Sequence, residues 1–334
     1  AESKNRHMSL MSGQSNKSII QGITFRNGKH PSLYGYGAGS IFISNSTNIQ
    51  FIDCVWKNNT SSSRESGGGA IEISYRSTPS FDLCVFDSNF VDVNDGWAYG
   101  GAISIDESYN TEDLKSPIKI YRSKFLNNYA KASYQAMGGA IYSQRSLDIQ
   151  NSLFVNNRAI SNNDGNTNNA TFGGAIALEH HNYEDGGTAN IKNSTFHGNY
   201  IKSLVSSPDE ERLGPMFGST ISYGSWNEGD ANTFIFNTII TGSKALVVND
   251  TTDFYGMIDD LYNDSAKRNW YKQRLILGES ISGNNNLSIE YSNIEATHTT
   301  NSWGDYVYNT MPGYKDASNN DFSLSDKSPL IGAG

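Results

Sequence analysis

The sequence is poor in cysteine, proline and basic residues, and it contains no long apolar run. Of 334 residues, 2 are Cys, 7 are Pro and 25 are Lys or Arg, against 34 Asp or Glu. Two cysteines exclude a small disulfide-stapled domain and argue against a metal site built on cysteines. A net charge of −9 without a basic cluster argues against a nucleic-acid partner. No stretch approaches the roughly 18 apolar residues of a membrane-spanning helix.

What the chain does contain points to strands and tight turns. Asparagine and serine contribute 38 and 44 residues, about a quarter of the chain, and 12% of the residues are aromatic. Such a chain is too polar for a helical bundle and too aromatic for disorder. Its abundant residue types are those of strands and turns, so we predict an all-β protein.

Two short motifs recur in alternation along the chain. Gly-Gly-Ala-Ile occurs four times, with weaker copies on either side: Gly68–Ile71, Gly100–Ile103, Gly138–Ile141 and Gly173–Ile176, flanked by Ala38–Ile41 and Gly218–Ile221. Between them stands an aromatic residue followed three positions later by Asn: Trp56/Asn59, Phe86/Asn89, Phe125/Asn128, Phe154/Asn157 and Phe196/Asn199. Repeats of this length indicate a solenoid.

Alignment on the aromatic residue shows that the position five residues upstream is apolar in all eight copies, while the copies lie 29 to 54 residues apart. Segments such as Ile71-Glu72-Ile73 alternate with period 2, which is typical of strands. We predict a single-stranded, right-handed parallel β-helix of about eight coils with long loop insertions. Its isoleucines would form an internal ladder, its Asn side chains would bond along the axis at a turn, and its glycines would allow bends.

The doubled motif resembles the repeats of chlamydial polymorphic outer-membrane proteins and, more broadly, the right-handed parallel β-helices of the pectate-lyase-like class. The resemblance covers roughly residues 16–300. It implies adhesion or surface display in one branch and polysaccharide cleavage in the other. The segment Asn320–Leu324 and the following Ser328–Gly334 are similar to the end of many bacterial surface β-helices.

We expect one domain over residues 1–334, with the repeats at about 16–300 and a closing segment at 301–334. Because residues 5–28 form a complete coil without a cap, we expect further coils or a cap before Ala1. Polar insertions at 106–117, 160–171, 202–217 and 244–280 would leave one edge of the coils. They are either solvent loops or the walls of a groove.

The residues just after the Ala-Ile strands are the candidate site, because stacking would place them in one strip. The strip comprises Tyr75, Arg76, Asp106, Glu107, Gln144, Arg145, Glu179, His180, His181 and Trp226. Carboxylates, cations and aromatic rings together suit a saccharide. Among these residues we assign ligand binding to Tyr75, Arg76, Gln144, His181 and Trp226.

Asp106, Glu107, Arg145, Glu179 and His180 are the candidates for catalysis. Asp106 and Glu179 would lie two coils apart, about 9.6 Å between backbones, which is near the separation that inverting glycosidases need. Alternatively, Arg145 between Glu107 and His180 would suit a lyase, which needs a base and a cation. A structural or simple binding role for these residues is the third reading, and no strict catalytic signature decides among them.

We expect no cofactor and no metal site. Adjacent histidines in a strand, His180 and His181, point to opposite faces and do not converge on one ligand. Calcium on the oxygen-rich loop Asn162–Asn169 is chemically reasonable, but the spacing matches no known calcium repeat. Cys54 and Cys84 occupy one column of successive coils, so we predict free, buried thiols.

The leading hypothesis is a monomeric extracellular or cell-surface module that binds polysaccharide or another surface without catalysis. The alternative is a polysaccharide lyase or glycoside hydrolase that uses the same strip, so enzymatic activity is left open. A scaffold that only spaces other domains is the third hypothesis.

Overall fold

The chain is described by a computed structural model. The structure describes residues 5–11, 13–30, 37–45, 47–62, 65–106, 116–162, 170–180, 187–204, 216–225, 231–247, 252–253, 255, 263–274, 277–279, 285–294 and 306–330.

Three parallel sheets of eight strands each form the body of the molecule, and successive coils lie side by side in all three. Sheet A contains Met8–Leu10, Ile41–Ile43, Ile71–Ile73, Ile103–Ile105, Ile141–Ser143, Ile176–His180, Ile221–Ser225 and Leu277–Glu279. Sheet B contains Ile19–Gln21, Gln50–Ile52, Ser80–Asp82, Ile118–Tyr121, Leu147–Gln150, Thr188–Lys192, Ala231–Phe236 and Asn285–Glu290. Sheet C contains Thr24–Arg26, Val55–Lys57, Val85–Asp87, Lys124–Leu126, Leu153–Val155, Thr195–His197, Ile239–Thr241 and Asn293–Ile294. The predicted all-β parallel β-helix of about eight coils is confirmed.

Two further sheets lie between sheet C and the next strand of sheet A in the order of the chain. Sheet D contains Thr60–Ser61, Phe90–Val93, Tyr129–Ala132, Arg158–Ser161, Tyr200–Ser203 and Lys244–Val247, with Thr252–Asp253 antiparallel at its edge. Sheet E contains Glu65–Gly67, Trp97–Tyr99, Gln135–Met137, Thr171–Phe172 and Met216–Phe217. The middle coils therefore have five strands each instead of three.

The remaining elements lie toward the C-terminal coils. One α-helix spans Ser265–Arg274 and contacts the last strand of sheet A. The strands Tyr314–Asp316 and Asp321–Leu324 form an antiparallel pair around the 3-10 helix Ala317–Asn319. No helix among the described ranges is long and apolar enough to cross a membrane.

The interior between sheets A, B and C is built from in-register apolar columns. Ile71, Ile103 and Ile141 are direct partners in sheet A, and all three are fully buried. The aromatic rings of the second motif stack along the axis, with centroids 4.7 Å apart between Phe86 and Phe125. The predicted internal ladder is thus confirmed.

A ladder of buried asparagines marks the turn after sheet C. The side-chain amide of Asn128 donates to Asn157 Oδ1 at 2.9 Å and to the Phe86 carbonyl at 2.9 Å. Asn128 Oδ1 accepts from the backbone N–H and the side chain of Asn89, at 3.0 and 3.1 Å. The same pattern repeats at Asn59 and Asn89. These amides satisfy buried backbone groups that would otherwise lose water without replacement.

The two glycines of the first motif have different reasons to be glycine. The first, as at Gly100 and Gly138, has a φ of +60° and +69°, which L residues adopt rarely. The second, as at Gly139, lies so close to the Gly174 carbonyl and the Arg158 backbone that no Cβ would fit. The predicted bend is confirmed, and close packing between coils adds a second constraint.

Both cysteines are free and buried, as predicted. Each thiol lies near carbonyls of its own and the preceding coil, at 3.4 to 3.5 Å. Burial raises the pKa of Cys84 to about 12, so its thiol stays protonated at neutral pH.

The asparagine ladder yields a stability prediction. Asn128→Ala removes an amide whose partners stay buried, and unsatisfied buried groups cost about 1–3 kcal/mol each. We expect the free energy of unfolding to fall by about 2–4 kcal/mol, measured by urea denaturation. The control is Asn94→Ala, since Asn94 is exposed and should change stability by less than about 0.5 kcal/mol. Equal midpoints for the two variants would contradict the role of the ladder.

Candidate functional site

The outer face of sheet A is largely covered by sheets D and E. Tyr142 and Ala177, each directly after the Ile of its motif, are buried in a second apolar cluster together with Met137, Phe172 and Phe217. Met137, Phe172 and Phe217 lie on sheet E, and each directly precedes the first glycine of the bend that leads into sheet A. Side chains from sheet E therefore fill the space over sheet A in the later coils.

A cleft stays open on this face in the earlier coils, where Gly67 occupies the position of those bulky residues. A Cβ at Gly67 would crowd the Ser104 side chain, so sheet E approaches sheet A closely here. The cleft has a volume of about 300 Å³. Its lining comes from sheets A and E: Gly67, Glu72, Trp97, Tyr99, Ser104, Asp106, Tyr142 and Gln144.

Glu72 is the most unusual group in this cleft. It is 1% exposed, and neither carboxyl oxygen makes a hydrogen bond of normal geometry to a described residue. Burial raises the pKa of Glu72 to about 8, and the nearby charge of Asp106 contributes to the rise. Arg6 and the Gly37 backbone offset part of this effect. Glu72 is therefore mostly a neutral carboxylic acid at pH 7.

Asp106 is the second carboxylate of the cleft, and it is half-buried. It directly follows the strand Ile103–Ile105, whose central Ser104 pairs with Glu72. The two acids lie one coil apart across the sheet and two residues apart along the strand direction. At normal strand spacing this corresponds to about 8 Å between their Cα atoms. The cleft thus combines a buried acid and a more accessible carboxylate.

A hydrogen-bonded chain forms one wall of the cleft. Gln144 Nε2 donates to Tyr142 Oη at 2.9 Å, and Tyr142 Oη donates to Glu179 Oε2 at 2.5 Å. Burial and the charge of Glu179 hold the pKa of Tyr142 well above its ordinary value, so the phenol stays neutral. Its ring stacks on Tyr99 with a centroid distance of 4.7 Å. Tyr142 is therefore held rigidly between the aromatic and the acidic parts of the site.

Some residues of the predicted strip meet in this cleft and others do not. Asp106 and Gln144 line it, and Glu179 lies directly behind Tyr142. Tyr75 and Arg76 are exposed, with φ values of 47° and 59°, and they are not part of the lining. The predicted single strip is thus divided between a cleft and an exposed turn.

Arg145 differs most from its predicted position. The sequence predicts an outward cation in the strip, whereas the structure buries Arg145 with 3% exposure. Its Nη1 donates to the carbonyl of Ser77, which lies 68 residues earlier in the chain, at 2.6 Å. The strand ends at Ser143, so Arg145 lies in the turn that follows, where strand alternation no longer sets the direction of the side chain. The guanidinium is engaged with the backbone of the turn.

Several predicted residues lie outside the described part of the chain. These are Glu107, His181, Trp226 and all of the Asn162–Asn169 loop except its first residue, and for His180 only the backbone is described. Within the described ranges, no three His, Cys, Asp or Glu side chains converge to hold a metal ion. Roles for the undescribed residues, and calcium in that loop, stay predictions.

The strip prediction missed Glu72, Trp97, Tyr99 and Tyr142. The sequence contains one usable signal for Glu72, since it is the only charged residue that directly follows the Ile of the Gly-Gly-Ala-Ile motif and its weaker copies. Trp97 and Tyr99 belong to sheet E. No short sequence motif predicts that this sheet folds over sheet A.

No protein-family model, no curated protein and no solved structure matches this chain. The stacked parallel strands establish the β-helix architecture, and the resemblance to a particular family stays a prediction.

The buried Glu72 predicts a specific pH dependence of stability. A carboxyl group whose pKa rises from 4.5 to about 8 on folding binds more protons in the folded state, so its contribution to stability falls as pH rises from about 4.5 to 8. Glu72→Gln should abolish this fall, which is on the order of 3 kcal/mol at pH 7. Urea midpoints at pH 5 and pH 8 measure it.

The matched control is the exposed Glu290, which has the same side chain. Glu290→Gln should leave the wild-type pH profile intact. If Glu72→Gln also keeps that profile, the buried acid is not the cause of the pH dependence.

Proposed function

We propose that this β-helix is an extracellular or cell-surface module that binds polysaccharide in the cleft between sheets A and E. One observation carries the proposal: three aromatic residues, Trp97, Tyr99 and Tyr142, line one cleft together with Glu72, Asp106 and Gln144.

The chemistry of the lining fits a sugar chain. Aromatic rings offer flat apolar surfaces against which the C–H faces of sugar rings pack. Carboxylates accept hydrogen bonds from hydroxyls, and the Gln144 amide both donates and accepts. A few convergent polar groups in a partly apolar pocket are typical of ligand sites.

Charge favours an uncharged saccharide over a uronate. None of the eight lining residues is basic, one of them is the carboxylate Asp106, and the chain carries a net charge of −9. Arg145, the cation that a uronate lyase would use, is buried against the Ser77 carbonyl. Because like charges repel, a polyuronate would bind this cleft poorly.

The location outside the cell rests on the sequence motifs. The paired Gly-Gly-Ala-Ile and aromatic-x-x-Asn repeats resemble those of chlamydial surface proteins and pectate-lyase-like β-helices. Adhesion or display at a surface is the function that this resemblance implies for a non-catalytic module.

Native gels that contain soluble neutral glucans or mannans test the binding. We expect the protein to be retarded, and Trp97→Ala to weaken binding at least tenfold, or about 1.4 kcal/mol, through loss of the stacking surface. Tyr75→Ala is the matched aromatic control, since Tyr75 is exposed outside the cleft. If Trp97→Ala is retarded as much as wild type, or if Tyr75→Ala loses its retardation instead, the cleft is not the binding site.

Glycoside hydrolysis is the second candidate function, and Glu72 favours it. A carboxylic acid that stays protonated at neutral pH beside an accessible carboxylate is the arrangement that glycosidases use for their acid and base. Glu72 would protonate the glycosidic oxygen, and Asp106 would act on the other side of the sugar.

Release of reducing ends from the retained polymer tests hydrolysis. Glu72→Gln should abolish the activity, and the wild-type rate should fall as pH rises through about 8, where Glu72 loses its proton. Glu290→Gln should leave the rate unchanged. Retention of a polymer without any release of reducing ends would exclude the hydrolase and leave the binding module.

A further inference from the structure

A row of aromatic side chains lies at the corner between sheets B and C, in the C-terminal coils. Phe236 and Tyr291 have ring centroids 5.2 Å apart, and Tyr306 stacks on Tyr291 at 5.0 Å. Phe236 and Tyr306 are 40% and 59% exposed. Three rings in contact and open to solvent form an apolar surface that a folded chain would normally bury.

The backbone conformation at this corner is the same in all the coils. Each coil turns there through a residue with positive φ, and Asn193 and Asn237 occupy the corner of the two preceding coils, with φ of 50° and 47°. Tyr291 adopts the same conformation, with φ 49°. Leu83 and Arg122 adopt it at the same corner of earlier coils, with φ of 56° and 48°, so Tyr291 is distinguished by its contacts with the two neighbouring rings.

The C-terminal segment turns this corner into a groove. Tyr308 pairs with the last strand of sheet C, where the Ile294 N–H donates to the Tyr308 carbonyl at 2.8 Å. Further along, Tyr314 and Phe322 pack against His197 on the outer side of sheet C. Between this segment and the corner lies a cleft of about 220 Å³.

The lining of this groove is polar but uncharged. None of its twelve lining residues is acidic or basic. The Asn237 amide donates to Asn193 Oδ1 at 2.8 Å, and both side chains are exposed at the corner. Tyr291 and Tyr308 contribute aromatic surface to the same cleft.

We infer that this corner groove, defined by Asn193, Asn237, Tyr291 and Tyr308 with the adjoining rings of Phe236 and Tyr306, is a binding site for an uncharged saccharide chain. The aligned rings would stack on successive sugar rings, and the asparagine amides would bond to hydroxyls. The lack of charge in the lining disfavours phosphate, uronate and nucleic-acid ligands. The assignment stands independently of the cleft between sheets A and E, which is built from other sheets.

Binding measured in a Trp97→Ala background tests the groove separately from the cleft. The probes are soluble mixed-linkage glucan, glucomannan and dextran, with polygalacturonate as the charged comparison. We expect Tyr291→Ala to weaken binding of at least one neutral polymer tenfold or more. Tyr291→Phe, which keeps the ring, should retain most of the affinity.

The matched control is Leu83→Ala, because Leu83 occupies the same corner in an earlier coil with φ 56° and 46% exposure. It should bind like its parent. Thermal unfolding of each variant by circular dichroism confirms that the fold is kept.

Three results would overturn the inference. One is equal binding by the Tyr291→Ala and Leu83→Ala proteins. If these variants and their Trp97→Ala parent all fail to bind every neutral polymer, that counts as the same result. Another is preference for polygalacturonate. The third is a dimer in analytical ultracentrifugation that Tyr291→Ala dissociates, which would make the row a contact between copies of the chain. Weaker but still measurable binding by Trp97→Ala in the wild-type background concerns only the cleft.

Discussion

In-register hydrogen bonding between successive coils is the constraint on which the rest of the structure depends. Because each strand bonds to the equivalent strand of the next coil, every residue meets its own counterpart about 4.8 Å along the axis. Only side chains that pack well against copies of themselves suit the interior. Ile on Ile in sheet A, aromatic on aromatic in sheet C and Asn on Asn at the turn satisfy this condition. Polar residues are tolerated inside where their neighbours along the axis complete their hydrogen bonds.

The same constraint explains how a repetitive frame acquires individual sites. Coils tolerate variation only where the side chain faces away from the shared columns or where chain is inserted. Gly67 adds no side chain to the cleft beside Glu72, at the position where later coils carry Met137, Phe172 and Phe217. At the corner between sheets B and C, Tyr291 stands where the two preceding coils have Asn193 and Asn237. Both candidate sites therefore arise where one coil departs from its neighbours, and both combine aromatic rings with hydrogen-bonding groups.

Residues that recur at the same position in several coils were predictable from the sequence, and residues that occur in one coil alone were not. The isoleucine ladder, the buried thiols and the asparagine turn follow from columns that recur several times. Asp106 and Gln144 were placed correctly near each other because they share a column position. Arg145 was predicted to face outward but is buried, because it lies in the turn after the strand and its guanidinium donates to the Ser77 carbonyl. Glu72 was missed because its burial depends on sheet E, whose strands near it lie between the two motifs and belong to neither.

The sequence by itself determined the β-helix, the number of coils and the identity of the internal columns, because in-register stacking repeats the same local choice at regular positions. Only the tertiary structure decided that sheets D and E fold over sheet A and that the C-terminal segment folds back on sheet C. Those contacts join residues far apart in the chain and occur once, so no periodicity records them. The raised pKa of Glu72 and the open groove at Tyr291 both originate in that packing.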